Sequence, residues 1–163
     1  MISQIVADAG PLIALSRIDR LSLLPHLFPA VVTPGVVIGE LRLQEPRPGV
    51  ARLADAVRAG VWLRSMTPSD DRVIAGLGVG ESGAIRLAQE LQCPLLIDER
   101  RGRASARNRG IAVIGTGRIL IAAKERGLIE SLAGSLDALG DAGYRLSDEL
   151  RSRLLAIADE AGP

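Results

Sequence analysis

Gly78-Val79-Gly80-Glu81-Ser82-Gly83, GVGESG, carries the G-x-G-x-x-G spacing of a dinucleotide-binding turn, and the fold depends on how that turn is read. Such a turn leaves a buried strand and opens a helix, and an acid stands at a strand end about 20 residues further on. Asp98, eighteen residues after Gly80, is close to where that acid belongs. The residues before Gly76, however, are Asp70-Asp71-Arg72-Val73-Ile74-Ala75, which do not read as a buried strand. The other reading is that the glycines give tight entry to a helix over 80–91 and deliver Glu81 to its first turn. There the helix dipole and free N–H groups favour a carboxylate. A Rossmann-type dinucleotide-binding protein is therefore the less favoured of the two.

On either side of this loop, short apolar runs alternate with helical patterns. Ile5-Val6-Ala7, Ala30-Val31-Val32, Val61-Trp62-Leu63, Pro94-Leu95-Leu96-Ile97 and Ile111-Ala112-Val113-Ile114 read as strands buried on both faces. Helices are expected near 11–27, as two broken around Arg20, and over 35–44, 49–59, 80–91, 100–109 and 117–126. Alternation of this kind predicts an α/β fold, a mainly parallel sheet with helices on both sides. After Gly127 the pattern is helical only, with 129–139 and 148–158 as candidates. A core over about 3–127 with a helical extension over about 128–160, together one domain over 1–163, is the expectation from pattern and length. Pro46-Arg47-Pro48-Gly49 and Thr67-Pro68-Ser69-Asp70-Asp71 read as exposed loops.

Composition narrows the chemistry. The formal net charge is +1, so any nucleic-acid surface must be local. One cysteine, Cys93, and one histidine, His26, exclude a disulfide framework and argue against a Cys/His zinc site or a histidine-based triad. A reducing, cytoplasmic setting is expected, since Asp8 interrupts the early apolar stretch and no run has the roughly 18 apolar residues of a membrane span. Three scattered aromatics, Phe28, Trp62 and Tyr144, provide no stacking platform for RNA bases. No G-x-x-x-x-G-K-[S/T] loop occurs.

In an open parallel sheet, ligands bind beyond the carboxyl ends of the strands. Asp8 directly follows Ile5-Val6-Ala7, and Asp98 follows Leu95-Leu96-Ile97. Aspartate is equally a turn and N-cap residue, so either alone is ambiguous. Glu40, in the helix begun by Pro34, borders an apolar face and is either an edge residue reaching solvent or partly buried for a reason. With Glu81, these acids converge on one end of one sheet. Carboxylates in one cleft repel, and a divalent cation with all-oxygen ligation, Mg²⁺ or Mn²⁺, is the simplest agent that holds them together. Metal-assisted hydrolysis follows: such an ion generates hydroxide from water, and two clamp the attacking and leaving oxygens of a phosphodiester.

Arg100-Arg101-Gly102-Arg103-Ala104-Ser105-Ala106-Arg107-Asn108-Arg109 supplies five arginines directly after Asp98 and Glu99. They read as a phosphate-binding segment, with Arg100, Arg101, Arg103 and Arg107 on RNA, or as a solvated helix face. Gly102, Ala104 and Ala106 would let the segment pack closely on the sheet. Thr116 supplies a hydroxyl at the same sheet end, to orient a carboxylate or bound water, or to cap the next helix.

Asp8–Leu15 (DAGPLIAL), Pro34–Leu41 (PGVVIGEL), Gly80–Ala88 (GESGAIRLA) and Leu96–Arg103 (LIDERRGR), in that order, resemble the PIN-domain nucleases. The likeness is nearest to a prokaryotic, VapC-toxin-like branch, and runs from about residue 3 to 150, through Gly115-Thr116-Gly117 and Ala142–Ser147 (AGYRLS). The resemblance implies a three-layer α/β/α sandwich and cleavage of RNA with one or two Mg²⁺ or Mn²⁺ ions. It implies Asp8, Glu40, Glu81 and Asp98 as the catalytic, metal-binding acids, Glu99 as an accessory acid where the branch commonly has aspartate, and Thr116 as a supporting residue. It further implies a homodimer and, where the gene is a toxin, a small protein antitoxin. The alternative within the same fold is a catalytically idle module that binds RNA or protein.

Overall fold

The computed structural model describes residues 2–160; Met1 and residues 161–163, inside the expected limits 1–163, lie outside the described residues. Five strands, β1 Gln4–Ala7, β2 Ala30–Pro34, β3 Leu63–Met66, β4 Leu95–Leu96 and β5 Val113–Ile114, form one sheet in the order β3-β2-β1-β4-β5. Every pairing is parallel. The helices are α1 Ala9–Arg17, α2 Leu23–Leu27, α3 Gly35–Glu40, α4 Val50–Ala59, α5 Val79–Leu91, α6 Arg100–Asn108, α7 Thr116–Glu125, α8 Leu132–Asp141 and α9 Asp148–Ile157.

Side chains alternate across a strand, and that alternation builds the layers. Ile5, Ala7, Val31 and Leu96 pack into one core with residues of α1, α2, α4, α7 and α8. Val6, Val32, Leu95 and Ile97 face the other way, onto Ala84, Ile85, Leu87 and Ala88 of α5 and Ala106 of α6. The α/β/α sandwich follows, and the central strands are buried on both faces as their unbroken apolar runs require.

The edges depart from the sequence reading. The third strand is Leu63–Met66 rather than 61–63, and only Leu63 of it is buried, while Val113 and Ile114 of β5 are half-buried. Edge strands have a neighbour on one side only, so their apolar runs are less fully covered. The helix expected over 35–44 stops at Glu40, and Arg42 adopts a left-handed backbone (φ 49°) that ends it. α8 begins at Leu132, three residues later than expected, because Ser131 is its N-cap and accepts from the Gly134 N–H at 3.0 Å.

Connectivity decides how GVGESG is used. Between β3 and α5 the chain runs through residues 67–78 without a strand, so Gly78 caps α5 but leaves no sheet. The strand order reverses at β1, whose neighbours are β2 and β4, and the crevice of an open α/β sheet opens there. The turn leaving β1 is Asp8-Ala9-Gly10-Pro11, which lacks the dinucleotide spacing. Among the described residues, no helix is long and apolar enough to cross a membrane.

Candidate active site

Asp8 ends β1 at that crevice. Its N–H donates to the Leu96 carbonyl at 2.9 Å, continuing the β1–β4 ladder by one residue, so Asp8 and Asp98 leave adjacent strands side by side. The buried Thr33 hydroxyl donates to the Ala7 carbonyl at 2.9 Å and pins the same strand end from β2. Asp8 is buried to 6% exposure, and its Oδ1 accepts no hydrogen bond from any described residue. Burial is the main cause that pushes its carboxyl up to about 7; the Glu40, Glu81 and Asp98 charges add to it, while the nearby Ala9 amide opposes it. Asp8 is thus within electrostatic reach of the other three predicted acids.

The other three are held by backbone. Asp98 accepts from the Thr116 N–H at 2.8 Å and from the Thr116 hydroxyl at 2.6 Å. Thr116 is therefore the carboxylate-orienting residue; the N-cap of α7 is Gly115. Glu40, the last residue of α3, accepts from the Gly80 N–H at 3.1 Å, and Glu81 accepts from the Gly78 N–H at 3.0 Å in a capping arrangement at the start of α5. The glycines of the opening motif serve these contacts. A Cβ on Gly80 would run into the Glu40 carboxylate, and one on Gly83 would press on Val36 at 3.0 Å.

An all-carboxylate donor set suits a hard divalent cation, and the buried Asp8 Oδ1 is one oxygen with no hydrogen bond to satisfy it. As the side chains lie, no three acids, histidines or cysteines among the described residues are grouped closely enough to grip one ion. Glu40 and Glu81 are turned onto backbone amides, so a shared grip on one ion requires their side chains to rotate. Their donor chemistry, oxygen only, is the kind such an ion takes.

Glu99 is not drawn into this set. Its side chain N-caps α6, accepting from the Gly102 N–H at 2.7 Å. Partial burial acts to raise its carboxyl, but the Gly102 and Arg101 amides and the Arg101 charge more than offset this and hold it below the usual carboxylate range. The arginines divide by face. Arg100, Arg101 and Arg107 are exposed, whereas Arg103 is turned inward and donates to the Ile97 carbonyl at 2.9 Å. Burial, then the neighbouring Arg107 charge, lower the pKa of Arg103, so it stands as a brace beside Asp98 more than as an outward RNA contact. Gly102 and Ala106 pack on the sheet as expected, but Ala104 is exposed.

Two neighbours of the site were not among its predicted residues. Thr33 looks like any β-branched strand residue. Tyr144 reaches the site from the turn after α8, where burial, and then the Asp98 charge and hydrogen bond, push its hydroxyl well above the usual value. Two signals were available: Tyr144 is the chain's single tyrosine, and it lies in the Ala142–Ser147 segment that shares the family resemblance.

Residues 4–160 match the family DUF3368, described as a PIN domain. No curated protein matches the chain. Among solved structures, a PilT N-terminus domain protein from the hyperthermophilic archaeon Sulfolobus solfataricus P2 aligns with a TM-score of 0.48 at 19% identity, over 82% of this chain and 93% of that one.

Proposed function

This chain belongs to the PIN-domain family, and from that premise we propose that it is a ribonuclease hydrolysing RNA phosphodiester bonds with Mg²⁺ or Mn²⁺, one or two ions, held by Asp8, Glu40, Glu81 and Asp98. The observation that carries this is the buried, unpartnered Asp8 oxygen facing three more carboxylates at the sheet's switch point. A divalent ion there supplies charge neutralisation at the phosphate and activates water. Asp98, fixed by two bonds from Thr116, is the preorganised donor; Asp8, excluded from water, is the one with most to gain from a cation. Arg100, Arg101 and Arg107 lie exposed on α6, beside the acids, where guanidinium groups suit phosphate. The biological setting we assign is a cytoplasmic toxin acting as a homodimer and restrained by a small protein antitoxin.

Purified protein is expected to cleave single-stranded or structured RNA only with Mg²⁺ or Mn²⁺. Asp8→Asn and Asp98→Asn each abolish cleavage while keeping the native circular dichroism spectrum. Undiminished cleavage by both variants would remove the site. The engagement of Glu40 and Glu81 by backbone amides favours a second reading, an idle module that binds RNA or protein without turnover. RNA binding without cleavage across both metals would select it.

A further inference from the structure

We propose that the groove between the loop Ala75–Leu77 and α6 is the track of the RNA chain leaving the acid cluster, with Arg101, Ser105, Asn108 and Arg109 as its backbone contacts. This rests on the ribonuclease reading above and adds to it a defined path, with three residues that reading does not use.

The face of α6 that forms the groove is set by elimination. Gly102 and Ala106 are buried, and a Cβ on Gly102 would meet the Ile97 Cδ1 at 2.5 Å. Arg103 is spent on the Ile97 carbonyl. Residues 101, 105, 108 and 109 follow the i, i+4, i+7, i+8 pattern of one helical stripe. With Leu77 and Ala104 they line a groove of about 640 Å³. A second cavity of about 510 Å³ continues past Gln89 and Gln92, and Arg109 lines both. The opposite wall is held in place: the Ile74 N–H donates to the Ser82 hydroxyl at 2.9 Å, and the Leu77 N–H to the Ile74 carbonyl at 3.0 Å.

Charge then selects the occupant. No acidic side chain lines either cavity. Several arginines elsewhere are neutralised locally, among them Arg58 by Asp55, Arg86 by Asp70 and Arg151 by Asp137. The Arg101 and Arg109 side chains form no ion pair or hydrogen bond among the described residues, and although Arg101 feels the Glu99 charge at the start of α6, no acid lines the groove they share. Eight residues of helix separate them by about 12 Å, enough for more than one phosphate, and Ser105 and Asn108 between them offer hydrogen bonds to phosphate or 2′-hydroxyl. The apolar lining is Leu77 and small alanines, without the bulky anchors a protein interface uses. The groove starts beside the site, since Arg101 is three residues past Asp98 and Leu77 adjoins Gly78, whose amide holds Glu81.

The test is the salt dependence of binding of a labelled single-stranded oligouridylate to the full chain in EDTA, which prevents cleavage, with Mn²⁺-supported cleavage measured separately. Arg101→Ala and Arg109→Ala are each expected to lower the slope of log affinity against log salt by about 0.7, and the pair by about 1.4. Arg109→Lys retains the slope, and Arg58→Ala, on the opposite side of the sheet, leaves it unchanged. If the wild type binds and cleaves RNA but the Arg101 and Arg109 variants keep its slope, the groove is overturned and the ribonuclease stands. If the wild type neither binds nor cleaves RNA, both fall. Loss of polyglutamate binding in the variants with the RNA slope intact would make the occupant an acidic protein, and overturn the RNA track.

Discussion

The Asp8 carboxylate illustrates how much one residue's environment matters. Any sequence with an aspartate after a short apolar run invites a functional reading or a capping one, and Asp8 does occupy the N-cap position of α1. What separates the two is that its side chain makes no capping hydrogen bond and is sealed from water among other carboxylates. A pH dependence follows. In the fold Asp8 keeps its proton up to about pH 7, whereas the unfolded chain releases it near 3.8. Between those values the native state holds the extra proton, so the stability of the metal-free protein falls as pH rises through this window and the full penalty applies above it. The gap corresponds to at most about 4 kcal/mol. Thermal melts of metal-free protein should therefore show a lower midpoint at about pH 8 than at about pH 5, Asp8→Asn should flatten the difference, and Mg²⁺ should raise the wild-type midpoint at the higher pH. An Asp8→Asn profile parallel to the wild type would show that the buried carboxylate is not its source. Asp98 was legible for the same reason as Asp8, by position after a strand. Thr33 and Tyr144 were not, because neither a buried threonine in a strand nor a tyrosine in a distant turn signals contact with a site.

At the level of elements, the entry to α5 joins two helices to the site. GVGESG was legible as a helix start, and Glu81 as its first-turn acid. Its sequence did not reveal that the Gly80 amide would bind a carboxylate on another helix, forty residues earlier in the chain. The packing of α3 on α5 creates that contact, and the missing side chains of Gly80 and Gly83 allow it. Gly80→Ala is a sharp probe, because the obstructing group is the mobile end of Glu40. The substitution should change stability by less than about 1 kcal/mol, since alanine suits a helix and Glu40 can swing aside. Displacing that carboxylate should weaken Mn²⁺ binding, followed by calorimetry, by about tenfold or more. Unaltered affinity would take Glu40 out of the ligand set.

For the molecule as a whole, the helices after Gly127 close the structure around the site. Leu154 of α9 packs over Gly117 of α7, and the Glu160 carboxylate accepts from the Leu132 and Ala133 N–H groups at 2.8 Å each while pairing with Lys124 at 2.6 Å. Lys124, then the Ala133 and Leu132 amides, hold the Glu160 carboxyl down to about 2. Its contribution is thus present above its ordinary value of 4.5 and is lost as pH falls towards 2. Glu160→Gln should lower the protection of the Leu132 and Ala133 amides against hydrogen exchange, relative to their intrinsic rates, at neutral pH and remove the loss of that protection in acid; wild-type protection would show that the anchor is idle. At the other end of α8, the turn that follows it carries Tyr144 to Asp98. The sequence by itself determined the alternation of strands and helices, the parallel sheet and the acids at its carboxyl end, because periodicity and strand-end position are local properties of the chain. Only the tertiary structure decided which strands lie at the edges, and that two glycines bring α3 and α5 together. Those outcomes depend on which surfaces meet, and contacts between residues forty or more positions apart leave no trace in the spacing of either one.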